Sequence, residues 1–233
     1  MGVRINKYIA SSGFCSRRQA DELVESGKVT IDGVVAANGS VVEEGQLVEV
    51  DGKEIVPEDN KIYIALHKPL GITCTTDRRD PSNIIDYIGM DERIFPIGRL
   101  DKNSSGLILL TNDGDIVNKL LRAENGHEKE YQVRVDRKIE PGFKEKMEAG
   151  VYILDRKTLP CKVTVTGTHT FNIVLKQGLN RQIRRMCDAL GYRVTKLRRI
   201  RFINITLGSM KPGDMRYLTK EEIRGLKSAD KPH

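Results

Sequence analysis

From Gly98 to Gly114 the chain reads Gly-Arg-Leu-Asp-Lys-Asn-Ser-Ser-Gly-Leu-Ile-Leu-Leu-Thr-Asn-Asp-Gly. No other stretch restricts the fold as much. Residues 107–110 are too apolar and too short a run for a surface helix, so they predict a buried strand, and Asn112-Asp113-Gly114 turns the chain at its end. The polar residues between Gly98 and Gly106 then form the loop that enters this strand. They carry one carboxylate, Asp101. A rigid scaffold presents a reactive group in this way, and the same residues also suit an aspartate that caps a turn.

The N-terminal part reads as small helices followed by short strands. Ile5, Tyr8 and Ile9 mark an amphipathic helix ending at Gly13. Ser16-Arg17-Arg18-Gln19 has capping-box spacing ahead of Ala20, Leu23 and Val24, and Gly27 supplies a stop. Val29 and Ile31 alternate into an Asp32-Gly33 turn, and a second Asp-Gly pair follows at Asp51-Gly52. The polar, proline-containing segment 56–61 predicts a linker between a module at 1–55 and a larger domain at 62–233. In that domain, 62–66 predicts a strand running into the His67-Lys68-Pro69-Leu70-Gly71 turn. Asp115 predicts a cap for a helix using Ile116, Val117, Leu120 and Leu121. Residues 127–135 alternate as a half-buried strand with Tyr131, Val133 and Val135 on one face. Asn180 predicts the cap, and Gly191 the stop, of a helix whose buried stripe is Ile183, Met186, Cys187 and Leu190. Arg184 falls at the border of that stripe, where a guanidinium can turn into a cleft and meet a carboxylate. Thr219-Lys220-Glu221-Glu222 is a capping box for a last helix, and Ser228 to His233 reads as a frayed tail.

Composition bounds the partners. The formal charge is +7, which favours a polyanion. Residues 1–60 hold 6 Lys/Arg and 11 Asp/Glu, so 61–233 hold the remaining 33 and 21, a net +12. The densest basic stretch, 176–201, has 9 Lys/Arg against the single acid Asp188 and predicts the main polyanion track. Cys15, Cys74, Cys161 and Cys187 are scattered without a C-x-x-C pair and the histidines make no ligand grouping, so reduced thiols are expected and a structural zinc is not. Asp113 and Asp115 have no third ligand nearby, so turn and cap duties account for them without a metal. No apolar run reaches the ~18 residues of a membrane span, so a soluble cytoplasmic protein is expected.

Gly98-Arg99-Leu100-Asp101 with Gly106 and the apolar run resembles the catalytic-aspartate motif of RNA pseudouridine synthases, with Ser104 where many relatives carry Thr. The N-terminal part resembles the RNA-binding module first known from a small-subunit ribosomal protein. The resemblance covers nearly the whole chain and is to the ribosomal enzymes of the RsuA/RluB/RluF group. Lys129-Glu130-Tyr131, Pro160-Cys161-Lys162-Val163 and 177–187 lean towards the RluF type, a large-subunit rRNA enzyme with tRNA as a second candidate substrate.

That resemblance implies an α+β protein: two helices plus short strands, then a catalytic domain with a mixed, mostly antiparallel sheet flanked by helices. It implies Asp101, Tyr131 and Arg184 as catalytic residues, with Arg184 pairing Asp101 and Tyr131 lying against the uracil. It implies no metal and no cofactor, because breaking the N1–C1′ bond and rejoining the base through C5 changes no oxidation state. The expected RNA contacts are Arg4, Lys7, Arg17, Arg18 and Lys28 in the module, and Lys68, Arg99, Asn180, Arg181, Gln182, Arg185, Lys196 and Arg198 in the domain. The expected partner is large-subunit rRNA, alone or in an assembly particle, or tRNA, and a monomer is the default. Two rival functions fit the basic surface: a non-catalytic RNA-binding or ribosome-assembly factor, and a hydrolase using Asp101 with Asp113 or Asp115 as a carboxylate pair or metal site.

Overall fold

The computed structural model describes residues 2–121 and 126–229. The chain forms two compact units. The first comprises Met1–Ile62 with Met90–Ile94 and Asn112–Gly114; the second comprises Tyr63–Gly89, Phe95–Thr111 and Asp115–His233.

In the first unit, helices Ile5–Ser11 and Arg17–Glu25 pack on a four-stranded antiparallel sheet in the order Val34–Val35, Val29–Ile31, Val48–Val50, Lys53–Glu54. Ser16 caps the second helix as its spacing predicts, with both reciprocal bonds of the box formed. The hairpins turn on Asp32-Gly33 and Asp51-Gly52, where all four φ angles are positive, the geometry that matches strand twist in a two-residue loop. Ile5, Ile9, Ala20, Val24, Val29, Val48 and Val50 fill the core. The segment expected as a linker is held within this unit: Glu58 N–H donates to the Ser11 carbonyl, and Asn112 Nδ2 donates to Glu58 Oε2 at 2.9 Å.

The second unit is built on one large sheet. Its strands run Lys162–Gly167, Thr170–Leu175, Lys129–Val135, Val194–Phe202, Ser105–Thr111, Tyr63–Lys68, Met215–Tyr217, with Ile205–Thr206 beside the fourth and Phe95–Ile97 beside the fifth. All pairings are antiparallel except the central one, where Val194–Phe202 runs parallel to Ser105–Thr111. The sheet is therefore mixed and mostly antiparallel, as expected. Tyr63–Lys68 is buried along its whole length, and residues 106–111 likewise, which is why their sequences read as continuous apolar runs instead of alternating. Two apolar cores result, one around Val133, Phe171 and Met186, the other around Leu107, Leu109 and Phe202.

Two boundaries differ from the sequence reading. The helix after Gly114 spans Gly114–Leu121, so Asp115 sits in its first turn instead of capping it. The basic helix spans Gln182–Ala189, with Arg181 at the cap in the left-handed region (φ 49°) and no side-chain cap. The last helix, Lys220–Ser228, carries the expected Thr219 box. Residues 230–233 of the expected tail lie outside the described residues. No helix among the described residues is long and apolar enough to cross a membrane.

Candidate active site

Asp101 stands on the loop that delivers the chain into Ser105–Thr111. Ser104 N–H donates to the Asp101 carbonyl at 2.9 Å, closing a tight turn, and the Ser104 side chain is buried. Gly106 follows with φ 108°, and a Cβ there would collide with the backbone of Arg199 on the parallel strand. Only glycine allows this approach. A second turn braces the loop, because Gly71 N–H donates to the Lys102 carbonyl at 2.9 Å.

Two guanidinium groups face the carboxylate. Arg184 Nε and Arg181 Nη1 each lie 3.8 Å from Asp101 Oδ2. The Arg184 side chain is only 12% exposed, and its remaining nitrogens are anchored on the scaffold. Nη1 donates to the Val194 carbonyl at 3.2 Å, and Nη2 donates to the Asn103 carbonyl at 2.7 Å and the Ser104 hydroxyl at 3.2 Å. Its Nε is buried without a hydrogen-bond partner among the described residues. Arg184 is thus a fixed charge, while Asp101 is attracted to it without being locked by a short hydrogen bond. Burial first, then the Arg181 charge, pulls the Arg184 guanidinium below its ordinary pKa, with Asp101 and Asp188 opposing.

Asp101, Tyr131, Arg181, Lys129, Arg199 and Phe202 all line one cavity of about 730 Å³. Tyr131 lies half-buried on Lys129–Val135, directly across from Arg199 on the neighbouring strand. Asp101 is the only acid in the described lining, against Arg99, Lys129, Arg156, Lys176, Arg181 and Arg199. Such a cavity favours an anionic polymer at its rim.

The expected RNA contacts divide. In the first unit Arg4, Arg17, Arg18 and Lys28 are exposed and Lys7 is half-buried, with Lys28 pairing Asp51 at 3.7 Å. In the second, Arg99, Asn180, Arg181, Lys196 and Arg198 are exposed, and Arg185 folds back onto the carbonyl and side chain of Asn180. Two expectations are corrected. Lys68 is fully buried, and its ammonium donates to the carbonyls of Pro69 and Ile72 at 2.8 Å each, so it holds the turn beneath the Asp101 loop and does not reach phosphate. Burial pulls its pKa below the usual lysine value, with Cys74 and Asp101 pushing back. Gln182 is 4% exposed, and its side-chain Oε1 accepts from Leu179 N–H at 3.0 Å, so it closes the helix start instead of meeting RNA.

Residues 62–189 match the family described as RNA pseudouridylate synthase, and residues 3–48 match the S4 domain. The chain belongs to the RNA pseudouridylate synthase family. It is 52% identical, over 96% of its length and 78% of the relative's, to the dual-specificity RNA pseudouridine synthase RluF of Salmonella typhi. It is 36% identical, over 97% of its length and 96% of the relative's, to the ribosomal large subunit pseudouridine synthase B of Bacillus subtilis. The fold superposes on a crystal structure of a pseudouridylate synthase with a TM-score of 0.70 at 27% identity, covering 96% of this chain and 99% of that one. This pseudouridine synthase is therefore an isomerase.

Sequence reading did not single out four cations of the synthase cavity, Lys129, Arg156, Lys176 and Arg199. Arg199 is 2% exposed. Its burial follows from a bulge: Glu130 faces Arg201 and Tyr131 faces Arg199, leaving Ile200 as the extra residue. The bulge turns Arg199 and Phe202 to the side of Tyr131. The signal available in sequence was the Lys129-x-Tyr131 spacing, which puts both side chains on one face of a strand.

Proposed function

We propose that this synthase converts a uridine of structured RNA to pseudouridine with Asp101 as the reacting carboxylate, Arg184 and Arg181 as its cationic partners and Tyr131 as the ring against which the base lies. The observation that carries the reading is the carboxylate oxygen at 3.8 Å from two guanidinium groups at the edge of a basic cavity. A carboxylate without a short hydrogen bond keeps its lone pairs free for the sugar or base, and the fixed charge of Arg184 favours its ionised form as RNA excludes water. Tyr131 supplies a flat apolar surface for a base that is detached and turned between the cleavage of N1–C1′ and the formation of C5–C1′. The proton lost from C5 is balanced by the one gained at N1, so the reaction needs no redox partner or cofactor.

Extracting the uridine from a stack costs a few kcal/mol and is cheapest in a loop or bulge. Large-subunit rRNA is the proposed substrate, supported by the name of the Bacillus subtilis relative, and tRNA the second, supported by the dual specificity named for the RluF relatives. Exposed Arg99, Arg181, Lys196 and Arg198, with Arg4, Arg17 and Arg18 of the first unit, supply the phosphate contacts.

The test is to incubate wild-type protein and Asp101→Asn with unmodified large-subunit rRNA and tRNA transcripts and to map pseudouridine by carbodiimide-based primer extension. A stop made by the wild type, and absent with an Asp101→Asn protein that binds RNA equally, is the expected result. A stop that persists with Asp101→Asn contradicts the role of the aspartate.

A further inference from the structure

We propose that Arg199 and Lys129 form a cationic subsite inside the cavity that grips the carbonyl oxygens of the target uracil and stabilises the negative charge the ring carries while it is detached from the sugar. This rests on the reading of Asp101 and Tyr131 given above. Lys129 and Tyr131 are two residues apart on one strand, Arg199 lies across from Tyr131, and Phe202 lies across from Lys129. Both cations approach the Phe202 ring, the Arg199 guanidinium carbon at 5.5 Å from its centroid and Lys129 Nζ at 5.9 Å. Arg199 is oriented by a 2.6 Å bond from Nε to the Leu107 carbonyl, which leaves Nη2 buried with no hydrogen-bond partner among the described residues. Among the described residues Lys129 Nζ has one acceptor, the His127 carbonyl at 3.2 Å. Neither cation makes an ion pair among the described residues.

Two desolvated cations side by side are costly unless something negative or strongly accepting joins them. Burial, and then the charge of Arg199, lowers the Lys129 pKa below its ordinary value, so the pair of cations is electrostatically unbalanced on its own. The occupant is the base instead of a phosphate because of position. Exposed cations such as Arg99, Arg181 and Lys176 already line the rim where the RNA backbone passes, whereas Arg199 and Lys129 sit with Tyr131, which lies against the ring. When C1′–N1 breaks, its electron pair stays on the uracil, delocalised over N1, O2 and O4; it is withdrawn again as C5 bonds to C1′ and the C5 proton leaves while N1 gains one. Fixed donors at those oxygens are in place before the charge develops.

The test uses the full-length protein and a large-subunit rRNA transcript labelled with tritium at uracil C5, which is released when C5 bonds to the sugar. Single-turnover release, RNA Kd at two salt concentrations and Tm are measured for wild type, Asp101→Asn, Lys129→Met, Lys129→Arg and Arg199→Lys. Lys129→Met is expected to slow release by roughly 30- to 100-fold with Kd within about twofold and an unchanged salt slope, and Lys129→Arg to recover at least about a third of the rate. Arg199→Lys is expected to slow release similarly, and its Tm separates this effect from loss of the Leu107 bond. A weaker Kd with a shallower salt slope and a normal rate would make the pair a phosphate site and overturn the proposal. Wild-type release with a silent Asp101→Asn and a full-speed Lys129→Met overturns the subsite alone. No release by the wild type overturns the Asp101 reading together with the subsite.

Discussion

The two faces of the strand pair Lys129–Val135 and Val194–Phe202 carry similar cations in opposite states. On one face Arg201 is bracketed by Glu128 at 3.0 Å and Glu130 at 3.1 Å and donates its third nitrogen to the Ile203 carbonyl, while Arg198 donates to Gln132 at 2.6 Å. On the other face Arg199 and Lys129 meet aromatic rings and backbone carbonyls, and the only acid of the described cavity lining is Asp101. A guanidinium neutralised by carboxylates is complete as it stands and serves the sheet. One left without a counter-charge in a cavity is built for something that arrives later.

Exchanging residues between the two faces tests the contrast. Tyr131→Ala on the cavity face is expected to cut single-turnover tritium release on the order of 10³-fold, whereas Gln132→Ala, one residue on and facing away, should change it less than about twofold. Gly106→Ala forces a side chain into the Arg199 backbone at φ 108°. It is expected to cost about 3 kcal/mol, seen as a Tm lower by roughly 6–12 °C, and to slow release through displacement of Arg199. Arg201→Met removes the cation that Glu128 and Glu130 share and leaves Glu130 with its bond from Asn172. It should destabilise by about 1–2 kcal/mol in urea titration while keeping the release rate within about twofold, the reverse of the profile expected for Lys129→Met.

The smallest effect tests the neutralised type of arginine elsewhere in the sheet. Arg216 grips Glu222 through two bonds of 2.8 and 2.7 Å, and these bonds hold the Glu222 carboxyl below its ordinary value of 4.5. Its stabilising contribution is fully present above the unfolded value and is lost as pH falls through the lower folded value. Glu222→Gln should therefore cost about 1 kcal/mol at pH 7, allowing for solvent screening of the partly exposed Arg216, and the Tm gap from wild type should shrink as pH drops below 4.5.

Features set by neighbouring residues were legible in the sequence. The capping boxes at Ser16 and Thr219, the Asp-Gly hairpins and the buried run after Gly106 each depend on a few adjacent side chains, and each forms as read. The approach of Arg184 to Asp101 was legible at one remove, from its position at the edge of a helical stripe. The bulge at Ile200 was not, because strict alternation would put Arg199 and Arg201 on one face, and the extra residue depends on the partner strand. Lys68 misled for a similar reason: a Pro/Gly turn implies exposure, but here the carbonyls of Pro69 and Ile72 curl back to enclose the ammonium. Gln182 was expected to meet RNA from the resemblance alone; Arg181 in the left-handed region leads into the helix, and the Gln182 side chain turns back to accept from Leu179 N–H.

If Asp101 and Arg184 act as one unit, a double-variant cycle reveals it. Single-turnover tritium release would be measured for wild type, Asp101→Asn, Arg184→Met and the double variant at saturating RNA. The expected result is a loss on the order of 10³-fold or more for Asp101→Asn, a large loss for Arg184→Met, and a double variant no slower than Asp101→Asn alone. Losses that multiply would mean that the two residues act independently, and an active Asp101→Asn would move the chemistry away from this carboxylate altogether.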